Sequence, residues 1–173
     1  ARGYINNSEI FNNFRWLNQA NPLLSALITK KLGSENWALD LSLLRNLESL
    51  AEDQSFCKEW MNIKHANKIR LAALIEDKCK ITVDPKALFD VQVKRIHEYK
   101  RQFMNILQVI YRYMTLKSMS SDQLSNAVPR VVIFGGKAAP GYYIAKLVIK
   151  LICSVADVVN NDAQTSNYLK VVF

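Results

Sequence analysis

Hydrophobic residues recur at helical spacing through the first half of the chain. Asn21-Pro22 predicts the start of a helix, because asparagine accepts hydrogen bonds from free amides and proline fits the first turn. Gly33 predicts its end. The apolar face expected for this helix comprises Leu23, Leu24, Leu27 and Ile28.

Two further amphipathic helices are predicted before residue 80. One follows a series of leucines, and the other begins near Asp53. Each has one apolar side, so both are expected to serve as scaffold. Their apolar positions are Leu41, Leu44, Leu47 and Leu50 in the first, and Phe56, Trp60, Ile63 and Leu74 in the second.

The second half alternates strand-like and helix-like patterns. Short strands are predicted at Lys80–Val83 and at Leu88–Val93, where apolar residues alternate. From Gln102 the chain is apolar on nearly all sides, which predicts a buried helix reaching about Lys117. The continuous apolar run Arg130–Phe134 is typical of a strand buried on both faces of a parallel sheet.

A βαβ unit is predicted at the end of the chain. Gly135-Gly136-Lys137 ends one strand, a helix is expected from about Tyr142 to Val159, and Tyr168–Phe173 is the next strand. The predicted fold class is therefore α/β, as a partial Rossmann-like domain of three layers. Since parallel sheets need helices on both faces, we expect a segment of a larger protein that is incomplete after this unit.

Composition narrows the class of protein. Of 173 residues, 50% are hydrophobic and 22% charged, as in a folded chain, and the net charge of +8 favours an anionic partner. Cys57, Cys79 and Cys153 are widely spaced, which predicts free intracellular thiols and neither a disulfide framework nor a metal site. The sequence has no signal peptide and no apolar window of about 18 residues, so no membrane partner is expected.

Basic residues cluster directly after the Leu88–Val93 strand. Within seven residues the chain places five polar side chains that carry or can carry charge: Lys94, Arg95, His97, Glu98 and Lys100. On a helical turn, positions 94 and 98 would share one side. One interpretation is a solvated helix start in which Glu98 pairs with Lys94. The other is an anion site, because charges between a strand and a buried helix need compensation, and arginine and lysine bind phosphate oxygens.

The glycine turn of residues 135–141 also follows a strand and precedes a helix. Open α/β sheets bind ligands at this position. Its spacing matches neither a Walker loop nor GxGxxG. From its spacing alone, the glycine turn can be interpreted either as a tight structural turn or as a phosphate contact.

Several segments resemble the glycogen and starch phosphorylases. The run Phe89-Asp90-Val91-Gln92-Val93-Lys94-Arg95-Ile96-His97-Glu98-Tyr99-Lys100-Arg101-Gln102 resembles the signature of that family. Residues 135–142, 160–162 and 169–173 resemble the family's following segments, and Arg15-Trp16 with Asn21-Pro22-Leu23-Leu24 resembles the start of its C-terminal domain. Residues 15–173 are thus assigned to a partial C-terminal domain, and residues 1–14 are left as an unmatched N-terminal segment.

The resemblance implies a GT-B type glycosyltransferase with its active site between two domains. Such enzymes transfer glucosyl units from α-1,4-glucans to inorganic phosphate, releasing glucose 1-phosphate, and use pyridoxal 5'-phosphate. It implies the catalytic residues Arg95 and Lys100 on the substrate phosphate, and Tyr99 on the glucosyl unit. Lys94 and Trp16 would bind the cofactor, and His97 and Tyr142 would lie near the entrance, where the family binds aromatic inhibitors.

The family's cofactor lysine lies in a glycine-rich motif that is absent from these 173 residues, so the Schiff base is assigned to no residue here. The isolated chain is expected to be inactive, and the parent is expected to be a cytoplasmic homodimer rather than a plastid protein. An alternative function is a non-catalytic regulatory module that binds phosphate or sugar phosphates. Nucleic-acid binding has only the charge in its favour, and the aromatics lie mostly on apolar helix faces, so no nucleic-acid partner is predicted.

Overall fold

The computed structural model describes residues 13–173, with side chains from Trp16 onward. The chain divides after Asn67 into two compact units. Helix α3, Gln54–Cys79, begins in the first unit and ends in the second. The candidate functional residues apart from Trp16 belong to the second unit.

The first unit is helical. It contains α1 (Asn13–Ala20), α2 (Pro22–Leu32), two 3₁₀ segments (Asn36–Ala38 and Leu41–Leu50) and the start of α3. Its buried core is formed by Leu24, Ile28, Trp37 and Ala38.

The predicted ends of α2 and the start of α3 are confirmed. The Asn21 side chain accepts a hydrogen bond from the Leu24 amide at 3.3 Å, and Gly33 ends α2 with a φ of 75°. Asp53 accepts hydrogen bonds from the amides of Ser55 and Phe56 at the start of α3. The predicted inner face of α2 is correct except at Leu23, whose side chain is 48% exposed.

The helix predicted through the leucines is a 3₁₀ helix, Leu41–Leu50, rather than an α-helix. The four leucines recur every third residue, which matches the three residues per turn of a 3₁₀ helix. The sequence therefore contained the signal for this conformation.

The second unit contains a parallel three-stranded sheet of order β1-β2-β3. The strands are β1 (Leu88–Val93), β2 (Arg130–Gly135) and β3 (Leu169–Val172). Leu88 pairs with Arg130 and Arg130 with Leu169. The helices α4 (Gln102–Ser118) and α5 (Ser121–Ser125) connect β1 to β2, and α6 (Tyr143–Asn161) connects β2 to β3.

Strand β2 is buried on both faces, as its apolar run predicts. Val132 and Phe134 pack into a core with residues of α4 and α6. Val131 and Ile133 point to the opposite face and pack with Ile75 of α3. The α/β fold class is thereby confirmed, in a three-layer arrangement compatible with part of a Rossmann-like domain.

Two structural predictions for this unit are wrong. Lys80–Val83 is not a strand, because α3 continues to Cys79, Lys80 turns the chain with a φ of 57°, and the following residues reach the sheet core as a loop. Helix α4 is not buried all round. Ile106 and Val109 pack on the sheet, whereas Phe103 is 49% and Met104 61% exposed. No helix in residues 13–173 has the length and hydropathy needed to span a membrane.

Asp162, at the end of α6, connects that helix to α4. Its carboxylate accepts hydrogen bonds from the Tyr113 hydroxyl at 2.6 Å and from Lys117 at 2.9 Å, and another from the Gln164 amide. These interactions, the Tyr113 hydrogen bond first, lower the pKa of Asp162 from 3.8 to about 2. The charged carboxylate therefore stabilises the folded state.

Replacing Asp162 by asparagine is expected to remove an acid-sensitive part of this stability. Because the folded pKa is depressed, the contribution is complete above about pH 4 and is lost as the pH falls through about 2. Asp162→Asn should lower the urea midpoint at pH 7, and near pH 2 the urea midpoints of the variant and the unaltered chain should become equal. Asp157→Asn, an exposed position on the same helix, is the control. A constant difference between Asp162→Asn and the unaltered chain from pH 7 to 2 would contradict this assignment.

Candidate anion-binding site

Residues 94–101, termed the basic loop, leave β1 at the carboxyl edge of the sheet. Residues 94–97 form no helix, Glu98–Lys100 is one 3₁₀ turn, and Arg101 adopts a φ of 64° before α4 begins. The helical turn on which positions 94 and 98 would share one side, part of the solvated-helix interpretation, is therefore not formed. The amides of Lys94 and Ile96 are instead bonded to a neighbouring segment.

That segment is the glycine turn. The Lys94 amide donates to the Gly135 carbonyl at 2.8 Å, and the Ile96 amide donates to the Lys137 carbonyl at 3.2 Å. A Cβ atom on Gly136 would lie 2.0 Å from the Lys94 carbonyl oxygen. Glycine is thus required for the close approach of two backbones, and the structure brings both sequence motifs together where parallel sheets bind ligands.

The basic side chains of the loop are available to a ligand. Lys94 and Arg95 are exposed, and Lys100 is partly buried with its Nζ 5.5 Å from the centre of the Tyr99 ring. Within residues 16–173, none of these three side chains has a carboxylate within 4.0 Å. Their charges can therefore be neutralised by an oxyanion, and arginine can hold two of its oxygens at once.

Glu98 does not pair with Lys94. Its carboxylate accepts a hydrogen bond from the Tyr142 hydroxyl at 2.8 Å, and its amide donates to the same hydroxyl at 3.2 Å. The amide of Glu98 acts to lower the pKa of Tyr142, but burial and the Glu98 carboxylate outweigh it and raise that pKa. The solvated Lys94–Glu98 pair, the simpler of the two interpretations of the cluster, is therefore absent.

Three aromatic side chains lie close together at the basic loop. The His97 ring lies 4.1 Å from Tyr99 and 5.0 Å from Tyr142, measured between ring centres. Beside them an open groove of about 380 Å³ is lined by His97, Phe103 and Leu147, among others. The structure thus brings His97 and Tyr142 together, and their role at a site entrance stays a prediction.

Trp16 lies on α1 in the first unit and is 74% exposed. Its assignment to a cofactor pocket stays a prediction. No cluster of three metal-ligating side chains occurs in the part of the chain with described side chains.

Two glutamines that support the loop were not predicted. Gln102 bonds to the backbone of Arg95 and of His97, and Gln92 bonds to the carbonyl of Lys100. For Gln102 the available signal was a polar residue at the first position of α4, directly before the apolar Phe103 and Met104.

Comparison with known proteins identifies the family. The sequence model of the family described as carbohydrate phosphorylase matches residues 4–173. The chain is 58% identical over 159 residues to glycogen phosphorylase 2 of Dictyostelium discoideum, covering 92% of this chain and 16% of the relative. It is 50% identical over 159 residues to the cytosolic alpha-glucan phosphorylase 2 of Arabidopsis thaliana, and to the liver form of glycogen phosphorylase from Ovis aries. Those two matches cover 92% of this chain and 19% and 18% of the respective relatives.

The chain therefore spans less than a fifth of the length of these relatives. The matched portion includes the basic loop and the glycine turn, since 92% of the chain aligns and the family match extends from residue 4 to residue 173. The chain belongs to the carbohydrate phosphorylase family.

Proposed function

We propose that the basic loop is part of the phosphate-binding site of an α-glucan phosphorylase. The whole protein would cleave the α-1,4-glucan of glycogen or starch with inorganic phosphate and release glucose 1-phosphate. The observation that carries the proposal is a short loop with three cations that have no carboxylate partner within residues 16–173, held at the ligand-binding edge of a parallel sheet.

Two of the three cations act on the substrate phosphate in this proposal. Arg95 binds phosphate oxygens in a fork, and Lys100 adds a positive charge beside Tyr99, which contacts the glucosyl unit. Positive groups fixed before the reaction stabilise the negative charge that gathers on phosphoryl oxygens in the transition state. Their placement on a loop bonded to the sheet limits the reorganisation needed during the reaction.

Lys94 fits the phosphate group of pyridoxal phosphate. It is exposed, has no carboxylate within 4.0 Å in residues 16–173, and its backbone is fixed to Gly135. When bound, the cofactor would supply a phosphate group as an acid–base partner beside the substrate phosphate. Lys94 and Arg95 would reduce the repulsion between two phosphates, and Trp16 would contribute to the cofactor pocket.

The wider context of the proposal follows from the family. We place this chain in the C-terminal half of a GT-B type enzyme that acts as a cytoplasmic homodimer. The Arabidopsis relative is named as cytosolic, which supports that compartment.

A segment exchange tests the proposal. The matching 159-residue segment of the Dictyostelium enzyme is replaced by that of this chain, and glucose 1-phosphate release from glycogen is measured with phosphate and cofactor. Measurable glucose 1-phosphate release is expected, because about three-fifths of the exchanged residues are identical and protein cores tolerate substitutions that keep volume and pattern. A correctly folded chimera that binds phosphate without turnover would instead support the regulatory module, and one that does neither would contradict both.

A further inference from the structure

Gln102 is an unusual residue for its position. It opens α4 next to apolar residues, and its side chain is only 1% exposed. With Thr165 it is one of two fully buried polar residues in the part of the chain that the structure describes. Burying an amide costs free energy unless both of its ends are hydrogen-bonded, so its contacts need an explanation.

Both ends of the Gln102 side chain are bonded to the basic loop. Its Nε2 donates to the Arg95 carbonyl at 3.2 Å, and its Oε1 accepts from the His97 amide at 3.4 Å. One partner is an acceptor and the other a donor, so a side chain with both functions is required, and an ionised glutamate has no donor. The amide therefore spans the backbone on either side of Ile96.

A second glutamine holds the other end of the loop. The Gln92 Nε2 donates to the Lys100 carbonyl at 2.9 Å, and its Oε1 accepts from Asn105 Nδ2 at 2.9 Å. The loop is thus fixed by Gln102 next to Arg95 and by Gln92 at Lys100. Arg95 and Lys100 are the two residues that the proposed function places on the substrate phosphate.

We propose that Gln102 and Gln92 are positioning residues that set the phosphate affinity of the site by fixing the backbone at Arg95 and Lys100. The inference rests on the proposed function, since it assigns phosphate to those two side chains. Neither glutamine contacts the phosphate in this scheme. A small displacement of a binding group lowers its effectiveness, and a misplacement of about 1 Å can cost a hundredfold.

Three variants test the inference in the segment-exchanged enzyme. Gln102→Met removes both hydrogen bonds at similar size, Gln102→Glu keeps only the acceptor, and Gln92→Met acts at a half-buried site where folding is less at risk. Gln108→Met, an exposed glutamine on α4, is the matched control. The KM for inorganic phosphate is expected to rise about tenfold to a hundredfold in the first three, with the KM for glycogen unchanged.

A second measurement separates positioning from general damage. Loss of folded enzyme lowers the apparent kcat but leaves the phosphate KM unchanged. Hydrogen exchange of the segment-exchanged enzyme should show faster exchange at residues 94–97 in the Gln102 variants and not in Gln108→Met.

The outcomes separate the positioning role of the two glutamines from the proposed function of the basic loop. An unchanged phosphate KM in an active enzyme carrying Gln102→Met and Gln92→Met overturns the inference and leaves the proposed function intact. A folded segment-exchanged enzyme with the unaltered glutamines that neither releases glucose 1-phosphate nor binds phosphate overturns the proposed function and this inference together. Unaltered exchange at residues 94–97 in the Gln102 variants overturns the role of Gln102 in fixing the loop, whatever the activity.

Discussion

Arg95→Ala in the segment-exchanged enzyme is expected to lower glucose 1-phosphate release by about a hundredfold to a thousandfold, the usual cost of removing one fixed transition-state donor. Arg95 is exposed and has no carboxylate within 4.0 Å in residues 16–173, so its removal leaves no buried group unpaired. The thermal midpoint should therefore stay within about 2 °C, because exposed substitutions change stability by only a few tenths of a kcal/mol.

The matched control for Arg95 is Arg70→Ala. Arg70 is an exposed arginine on α3, so both variants lower the net charge equally. If the charge of the protein as a whole attracted phosphate, both would lose activity to the same small extent. An Arg95→Ala enzyme with more than half of the original activity would remove Arg95 from the site.

Gly136→Ala is expected to displace the basic loop. The added Cβ would lie 2.0 Å from the Lys94 carbonyl oxygen and 3.3 Å from the Ile96 side chain, and a backbone atom cannot move aside as a flexible side chain can. Relief requires separating the loop from the glycine turn, which breaks the Lys94–Gly135 hydrogen bond. The combined cost is roughly 2 to 5 kcal/mol, and phosphate binding should be lost with it.

Gly141→Ala is the control for this prediction. A Cβ on Gly141 meets no atom within 4 Å, so the same chemical change in the same connection should leave stability and activity nearly unaltered. Urea unfolding and phosphorolysis of the two variants provide the comparison. Equal urea midpoints for Gly136→Ala and Gly141→Ala would show that the close approach at Gly136 is not required.

The sequence predicted most of the second unit because its elements have strong local signals. The apolar run at β2 is continuous since the strand is covered on both sides, and Val131 and Val132 point to opposite faces. The leucine series in Leu41–Leu50 also predicts an α-helix, because residues three apart lie on the same side of both an α-helix and a 3₁₀ helix. The apolar residues on the outer face of α4 predict burial, but a hydrophobic pattern does not specify what covers those residues, and in this structure they are exposed.

The site was predicted in its residues but not in its conformation. Lys94 and Arg95 were identified by charge and by resemblance, whereas their loop conformation depends on the pairing of Lys94 with Gly135, about forty residues away. A contact between residues so far apart in the chain produces no periodic pattern of hydrophobic and polar residues from which it could be predicted. Gln102 was overlooked for a related reason, because its function depends on the backbone it reaches and not on neighbouring residues in the chain.

Titration of inorganic phosphate into the 173-residue chain, followed by NMR at the backbone amides, tests the central claim most directly. Saturable shifts are expected at residues 94–101 and at the glycine turn, and they should disappear in Arg95→Ala while persisting in Arg70→Ala. The absence of saturable shifts, or equal shifts in Arg95→Ala and the unaltered chain, would contradict the assignment of the basic loop as a phosphate site.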